Sequence, residues 1–492
     1  MGRRIDLDLE MAENLMKTMA LNPTSREVAQ KTMNTLTLIV VAFFGLLAGS
    51  VAAATSRPNV VLVMSDDQGW GDVGYNGHPH LKTPQIDQLS RSGLRLDRFY
   101  AAHYNCSPTR GSVMTGRHPA RYGTNDAGSP FRVEELTVAE VIRTAGYATG
   151  HFGKWHLSGV GDGVGAPIPA DAATSPGNCG FDEWVSVTNF YDLDPLMARN
   201  GQPEQFKGDG SDVATDEALK FIRRHARAKK PFLAVVWFGS PHTPHQALES
   251  DKAPYRERSE KLQNYYGEIT AIDRSVGRLR QELRDLNVAD NTLFWFCSDN
   301  GGHMGPTSTG NLRGMKGSFW EGGIRVPGII EWPARIGAPF TSKVPVSTLD
   351  IYPTVLAAVG VTAPNQVQPL DGLNVLPLLD RKMTARTKPM PFFDTVPRHG
   401  PKGRKISEVG LQPGHAVWFD YPWKFHRNAV LDRPHRGSDL LPPILLYNIE
   451  QDPNEATDLS AQQPERVARM KAELEAWKES VARSLAGADY GR

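Results

Sequence analysis

Asn59-Val60-Val61-Leu62-Val63-Met64-Ser65-Asp66-Asp67-Gln68-Gly69-Trp70 decides how the chain folds. The run from Val60 to Met64 has strand length and is apolar without alternation, the pattern of a strand covered on both faces. It delivers two carboxylates, Asp66 and Asp67, at its C-terminal end. The same arrangement recurs. A short strand over Tyr147 to Phe152 runs into Gly153-Lys154-Trp155-His156. An apolar strand over Phe232 to Phe238 runs into Ser240-Pro241-His242-Thr243-Pro244-His245, and Thr292 to Cys297 runs into Ser298-Asp299-Asn300-Gly301-Gly302.

Helices separate these strands. Thr83-Pro84 opens one that carries Ile86 and Leu89 and closes at Gly93, ahead of a strand near Leu94 to Tyr100. Thr137-Val138-Ala139-Glu140 is a capping box for another through Ala145. A third spans Ser211 to Ala228, and Ile269, Ile272, Val276, Leu279, Leu283 and Leu286 mark a long amphipathic helix. Leu157 to Gly180, rich in Gly, Pro and Ala, reads as a long surface loop near the site.

Alternating strands and helices predict an α/β fold: a large, mainly parallel (mixed) sheet sandwiched by helices, with its site along the carboxyl ends. Composition shifts after about residue 385. Ala416 to Tyr421, Trp423 to His426 and Leu445 to Ile449 read as strands, followed by a helix carrying Val467, Met470, Leu474, Trp477 and Val481. The expected division is an N-terminal extension over 1–56, a catalytic domain over 57–385, and a smaller α+β subdomain (antiparallel sheet plus helix) over 386–492.

The chain has 492 residues, with 55 basic against 54 acidic side chains, so the surface is not that of a nucleic-acid binder. Anion recognition, if present, is local. The cysteines Cys106, Cys179 and Cys297 lack zinc-type spacing and are too few for a disulfide framework; a bridge between Cys179 and Cys297 remains open. Leu36 to Ala54 is apolar and ends in small residues, which suits signal-peptide cleavage near Ala54 and a secreted or periplasmic protein. An uncleaved membrane anchor is the alternative. Translation starting at Met19 would give the leader Arg26 and Lys31 as its positive flank.

Cys106-Ser107-Pro108-Thr109-Arg110-Gly111-Ser112-Val113-Met114-Thr115-Gly116-Arg117 predicts a short helix starting after Cys106. Ser107 serves as its N-cap, Pro108 takes the first position, and Gly116 ends it. A sulfur at a helix N-terminus, with Arg110 one turn away, suits anion chemistry. Taken alone, the motif fits a buried cysteine beside a capped helix equally well. In isolation Asp66-Asp67 and Asp299-Asn300-Gly301 read as turns, and Lys154, His156, His242 and Lys316 as packed or solvated side chains. Together, the acids and the amide at strand ends form an all-oxygen set suited to a hard cation.

The Cys-x-Pro-x-Arg stretch with Thr115-Gly116-Arg117 resembles the signature of type I sulfatases, the arylsulfatase-like branch of the alkaline phosphatase superfamily. The Gly-Lys-Trp-His, Ser-Pro-His and Lys316-Gly317…Glu321-Gly322-Gly323-Ile324-Arg325-Val326-Pro327 segments follow in that family's order. They extend the resemblance over roughly 57 to 330, with a weaker echo at Leu446 to Glu455. Two small departures, Ser158 and Met315, touch no catalytic group.

The resemblance implies that a separate maturation enzyme oxidises Cys106 to formylglycine (3-oxoalanine), whose hydrate attacks sulfur with one hydroxyl and releases sulfate through the other. It implies one Ca²⁺, with Mg²⁺ second, on Asp66, Asp67, Asp299, Asn300 and the modified Cys106. Arg110, Lys154 and Lys316 would bind sulfate oxygens, and Asp299 would help deprotonate the attacking hydroxyl. His242, with Lys316, would protonate the leaving alcohol, and His156 would take a proton during sulfate release. The expected activity is a sulfuric ester hydrolase acting on a sulfated carbohydrate or aryl sulfate. The partners are that substrate and the maturation enzyme, with no nucleic acid and no stable membrane partner. A phosphomonoester or phosphonate monoester hydrolase of the same superfamily, and an unmatured protein that only binds sulfated glycans, are the competing readings. His103, Tyr104, Trp184, His245 and Arg313 are candidates for the leaving-group pocket.

Overall fold

The first strand sets the architecture. In a computed structural model of the chain, which describes residues 57–161, 165–393, 414–429 and 441–491, β1 (Asn59–Ser65) lies near the centre of a ten-stranded sheet. Val60, Leu62 and Met64 enter the core on one face, and Val61 and Val63 enter the core on the other. That is why the run shows no alternation. A fully buried side chain of this size contributes about 1.5–3 kcal/mol relative to exposure.

The remaining strands of this sheet are β2 (Leu94–Leu96), β4 (Ala148–Lys154), β5 (Glu183–Val187), β6 (Leu196–Arg199), β7 (Gln202–Gln205), β8 (Phe232–Trp237), β9 (Thr292–Ser298), β11 (Gly328–Glu331) and β12 (Phe340–Ser342). Their order is β12-β2-β11-β9-β1-β8-β4-β5-β6-β7. β9, β1, β8, β4 and β5 run parallel, and antiparallel pairs flank them on both sides, so the sheet is mixed around a parallel centre. The helices Pro84–Ser92, Gly210–Arg227 and Glu260–Asp285 cover one face. Cys106–Thr115, Val138–Thr144 and Ile351–Val359 cover the other.

The expected strand over Leu94 to Tyr100 is two strands. β2 joins the large sheet, whereas β3 (Phe99–Tyr100) joins a small sheet with β10 (Arg325–Val326) and β13 (Val346–Ser347). The polar pair Asp97-Arg98 marks the break. Leu157 to Gly180 carries no helix or named strand among its described residues, yet Leu157, Ile168 and Cys179 are buried, so it packs against the core and is not a purely surface loop. Cys179 and Cys297 are both free, which closes the question of a bridge between them.

A second sheet, β14 (Met390–Phe393), β15 (Ala416–Asp420), β16 (Trp423–Arg427) and β17 (Ile444–Asn448), is antiparallel throughout. The helix Pro464–Leu485 lays Met470, Leu474 and Val481 on one of its faces; the other face meets Tyr100, Phe319 and Trp320. No helix among the described residues is long and apolar enough to cross a membrane. The expected leader and the Met19 start lie in residues 1–56, outside the described residues.

Candidate active site

The parallel strands end side by side, and their last residues converge. Asp66 and Asp67 follow β1, Asp299 and Asn300 follow β9, Lys154 closes β4 and His242 follows β8. The facing helix starts at Cys106 itself, with Asn105 as its N-cap. Ser107 is therefore not the cap: its hydroxyl donates to His156 O at 2.6 Å and accepts from Gly128 N at 2.8 Å. A tertiary contact has taken the group that local pattern assigned to the helix end. Gly116 adopts a left-handed conformation at the C-terminal turn, as expected.

The ligand atoms of Asp66, Asp67, Cys106 and Asp299 all lie within 4.8 Å of one another, and all four residues are buried. Cys106 Sγ is 3.4 Å from Asp66 Oδ1 and 3.8 Å from Lys316 Nζ. Each carboxylate has its own cation. Lys154 Nζ lies 2.5 Å from Asp66, Lys316 Nζ 2.6 Å from Asp67, and Arg110 Nη2 2.7 Å from Asp299. Asn300 Nδ2 donates to Asp67 Oδ1 at 2.7 Å, while Asn300 Oδ1 is buried and accepts no hydrogen bond.

These pairings set the charge states. Burial pushes the Asp66 carboxyl up, but Lys154, with His242 and Arg110, holds it below its ordinary value despite repulsion from Asp67. Burial opposes ionisation of Asp67 too, and Lys316 with His242 and His303 keeps it well below the carboxylate range. Asp299 is pushed up to about 7, by burial first and then by Asp66. Burial and the Asp66 charge drive the Cys106 thiol well up, so a thiolate is disfavoured here.

His242 Nδ1 sits 2.6 Å from Thr243 O, and a carbonyl accepts only, so this nitrogen carries the proton and Nε2 faces Asp67 Oδ2 at 3.8 Å. The Phe190 ring stacks on His242 with centroids 4.8 Å apart. Burial lowers His242 to about 4 against the pull of Asp67 and Asp66. His156 lies two residues beyond the end of β4 with φ of 57°, so the backbone is no longer extended where it leaves the strand. It is buried, and burial followed by Lys154 and Arg110 keeps it neutral. Gly153, inside β4 with φ of 108°, lets the strand pack this closely on its neighbour: a Cβ there would stand 1.9 Å from Trp237 O.

All the site residues expected from sequence thus come to one place. Of the pocket candidates, His245 stacks on His303, which lies against Asp67. Trp184 is in the core, and His103 is packed against Tyr104 and Phe319. His245 Nδ1 pairs with Glu268 at 3.2 Å with its ring buried, and Arg313 lies 3.8 Å over the Trp320 ring. His303, 3.5 Å from Asp67, and Phe190 were not anticipated. For His303 a signal existed, since it follows the Asp299-Asn300-Gly301-Gly302 run directly; Phe190 left none.

The family model described as Sulfatase matches residues 58–361. The chain belongs to the sulfatase family. Sulfatase relatives include human N-acetylgalactosamine-6-sulfatase, 29% identical over 87% of this chain and 87% of that protein. Human arylsulfatase A is 31% identical over 84% of this chain and 86% of its own length. The crystal structure of Ps i-CgsB in complex with k-i-k-neocarrahexaose superposes with a TM-score of 0.73 at 29% identity, covering 86% of this chain and 93% of that one. The sulfatase fold and the enzyme class therefore hold for this chain.

Proposed function

We propose that this sulfatase hydrolyses an organic sulfate monoester through a formylglycine made from Cys106, with one divalent cation, Ca²⁺ before Mg²⁺. The observation that carries the reading is the placement of Cys106 Sγ against Asp66 and Lys316, inside a buried ring of acids and bases. The donor set fits a hard cation: carboxylates of Asp66, Asp67 and Asp299, with Asn300 Oδ1 as a buried amide oxygen that accepts nothing else. Bound there, the cation would supply Lewis-acid polarisation of a sulfate oxygen and acidify the attacking hydroxyl. The formylglycine hydrate would supply that hydroxyl and the second one that frees sulfate.

This chain's own residues do the rest. Arg110, Lys154 and Lys316 bind the ester's oxygens and offset charge gathering on them. Lys316, with its side chain 17% exposed, protonates the departing alcohol, and His242 joins it as a donor only when Nε2 takes up a proton. His156 accepts the proton released during sulfate departure. Three carboxylates matched by three cations leave the ring near neutrality, so a divalent cation makes it attractive to an anionic ester.

Relatives named for a sulfated amino sugar, and a neighbour solved with neocarrahexaose, support a sulfated carbohydrate ahead of an aryl sulfate. Residues 1–56 are read as a leader for export, and a formylglycine-generating enzyme as the maturation partner. The test is turnover of defined sulfated saccharides, aryl sulfates and a phosphate monoester by protein whose Cys106 peptide mass is known. Full activity with an intact thiol, or preference for the phosphate ester, would sink the reading.

A further inference from the structure

Lys316 is carried by a loop that closes on itself. Gly322 N donates to Arg313 O at 2.7 Å and Gly323 N to Trp320 O at 2.8 Å, which makes a neck with Lys316 beyond it. The neck is gripped by the C-terminal sheet. Arg313 Nη1 donates to Glu455 O at 2.5 Å, and the Glu321 backbone N donates to Glu455 Oε2 at 2.7 Å. Lys424 Nζ on β16 bridges Glu321 at 2.9 Å and Glu455 at 3.0 Å. The Trp320 ring carries both the Arg313 guanidinium, at 3.8 Å, and the His426 ring, at 4.5 Å.

Glu321, Lys424, His426 and Glu455 are all fully buried. Glu455 also holds φ of 52°, a left-handed conformation unfavourable for its side chain. A buried ion cluster contributes little net stability compared with an apolar contact, but its hydrogen bonds permit few arrangements. A lysine is a flexible stem with a charge at its end, so where Nζ rests depends on where its loop is held. Lys316 N is tied to Gly302 O at 3.1 Å and Gly317 N to Tyr104 O at 3.3 Å, and neither contact fixes the neck.

We propose that Arg313, Lys424 and Glu455 are positioning residues that hold Lys316 on Asp67 and beside Cys106, a role that rests on Lys316 belonging to the sulfatase site. The C-terminal sheet is then part of the catalytic apparatus without touching substrate.

Arg313 is half-buried, so Arg313→Ala strands no fully buried charge and carries the test even where Glu455→Gln does not fold. Two readouts are combined. The first is the rate at which Lys316 is acetylated by an amine reagent, followed by peptide mass spectrometry, which needs no activity. The second is kcat and KM on an aryl sulfate. Each variant is expected to speed Lys316 labelling and to lower kcat on the order of tenfold with KM within about twofold. In a Lys316→Ala background, neither should lower kcat further. Unchanged labelling in a folded variant, or a kcat loss that multiplies in full with Lys316→Ala, overturns the proposal. A wild-type protein that turns over no sulfate ester would refute the functional reading instead, and labelling alone would then decide the positioning claim.

Discussion

Lys154 Nζ lies 2.5 Å from Asp66 Oδ2, and neither side chain is exposed. Removing the lysine leaves a buried carboxylate without its cation and, in the mechanism proposed above, the ester without one of its binding groups. Lys154→Met should lower kcat/KM by roughly 10²–10³-fold and cost about 3–5 kcal/mol of stability. Turnover assays and urea melts read the two losses separately.

Cys106 makes few demands on folding, because its thiol bonds weakly and its helix is ended by Gly116. Cys106→Ala should keep native circular dichroism and fall to background turnover on any sulfate ester. Wild-type rates in that variant would remove Cys106 from the mechanism.

Chelation should abolish activity, and Ca²⁺ should restore it. Asn300→Ala removes the one amide oxygen in the donor set, so it should raise the Ca²⁺ concentration for half-maximal recovery by about 10–100-fold, a loss comparable to disturbing a metal site's supporting shell. Titration of the stripped protein with Ca²⁺ measures this directly.

A Cβ on Gly301 would stand 2.0 Å from Gly322 O, where the Asp299-Asn300 loop meets the loop that carries Lys316. Gly301→Ala must push those loops apart. It should cost about 1–3 kcal/mol and reduce kcat more than KM. Thermal melts and steady-state kinetics distinguish these effects.

Asp371 receives Arg121 through both oxygens, at 2.7 and 2.9 Å, and also binds the His118 N–H and the Trp477 indole. It thereby ties the segment after the signature helix to the C-terminal helix. Burial pushes its carboxyl up, and Arg121 more than offsets this, so the folded value lies below the ordinary one. Its contribution is complete above the unfolded value, about 3.9, and is lost as pH falls through the lower folded value. Asp371→Asn should cost about 3–5 kcal/mol near neutrality and flatten the decline in melting temperature below about pH 4. Thermal melts from pH 7 downward check both.

Much of this was legible in the sequence because parallel strands announce themselves. Val60 to Met64 must be apolar on both faces, and the polar residues that follow such a strand have nowhere to be but its carboxyl end. The β6–β7 hairpin was not legible: Gln202-Pro203-Glu204-Gln205 is an edge strand with no apolar face to show. Ser107 read as a cap because capping is local, whereas its bond to His156 joins residues far apart in sequence. The grip of Lys424 and Glu455 on Glu321 was hidden for the same reason, since charge pairing across that separation leaves no period to read.

The burial of Cys106, 2% exposed as the first residue of a helix with no exposed residue, has a consequence for biosynthesis. A second protein can reach that sulfur only while the segment is still a strand of loose peptide. On the formylglycine reading proposed above, oxidation and folding compete for the same molecule, and the yield of competent enzyme is set by a race. Slower folding, from a lower growth temperature or a destabilised Asp371 tie, would raise the oxidised fraction of each chain made.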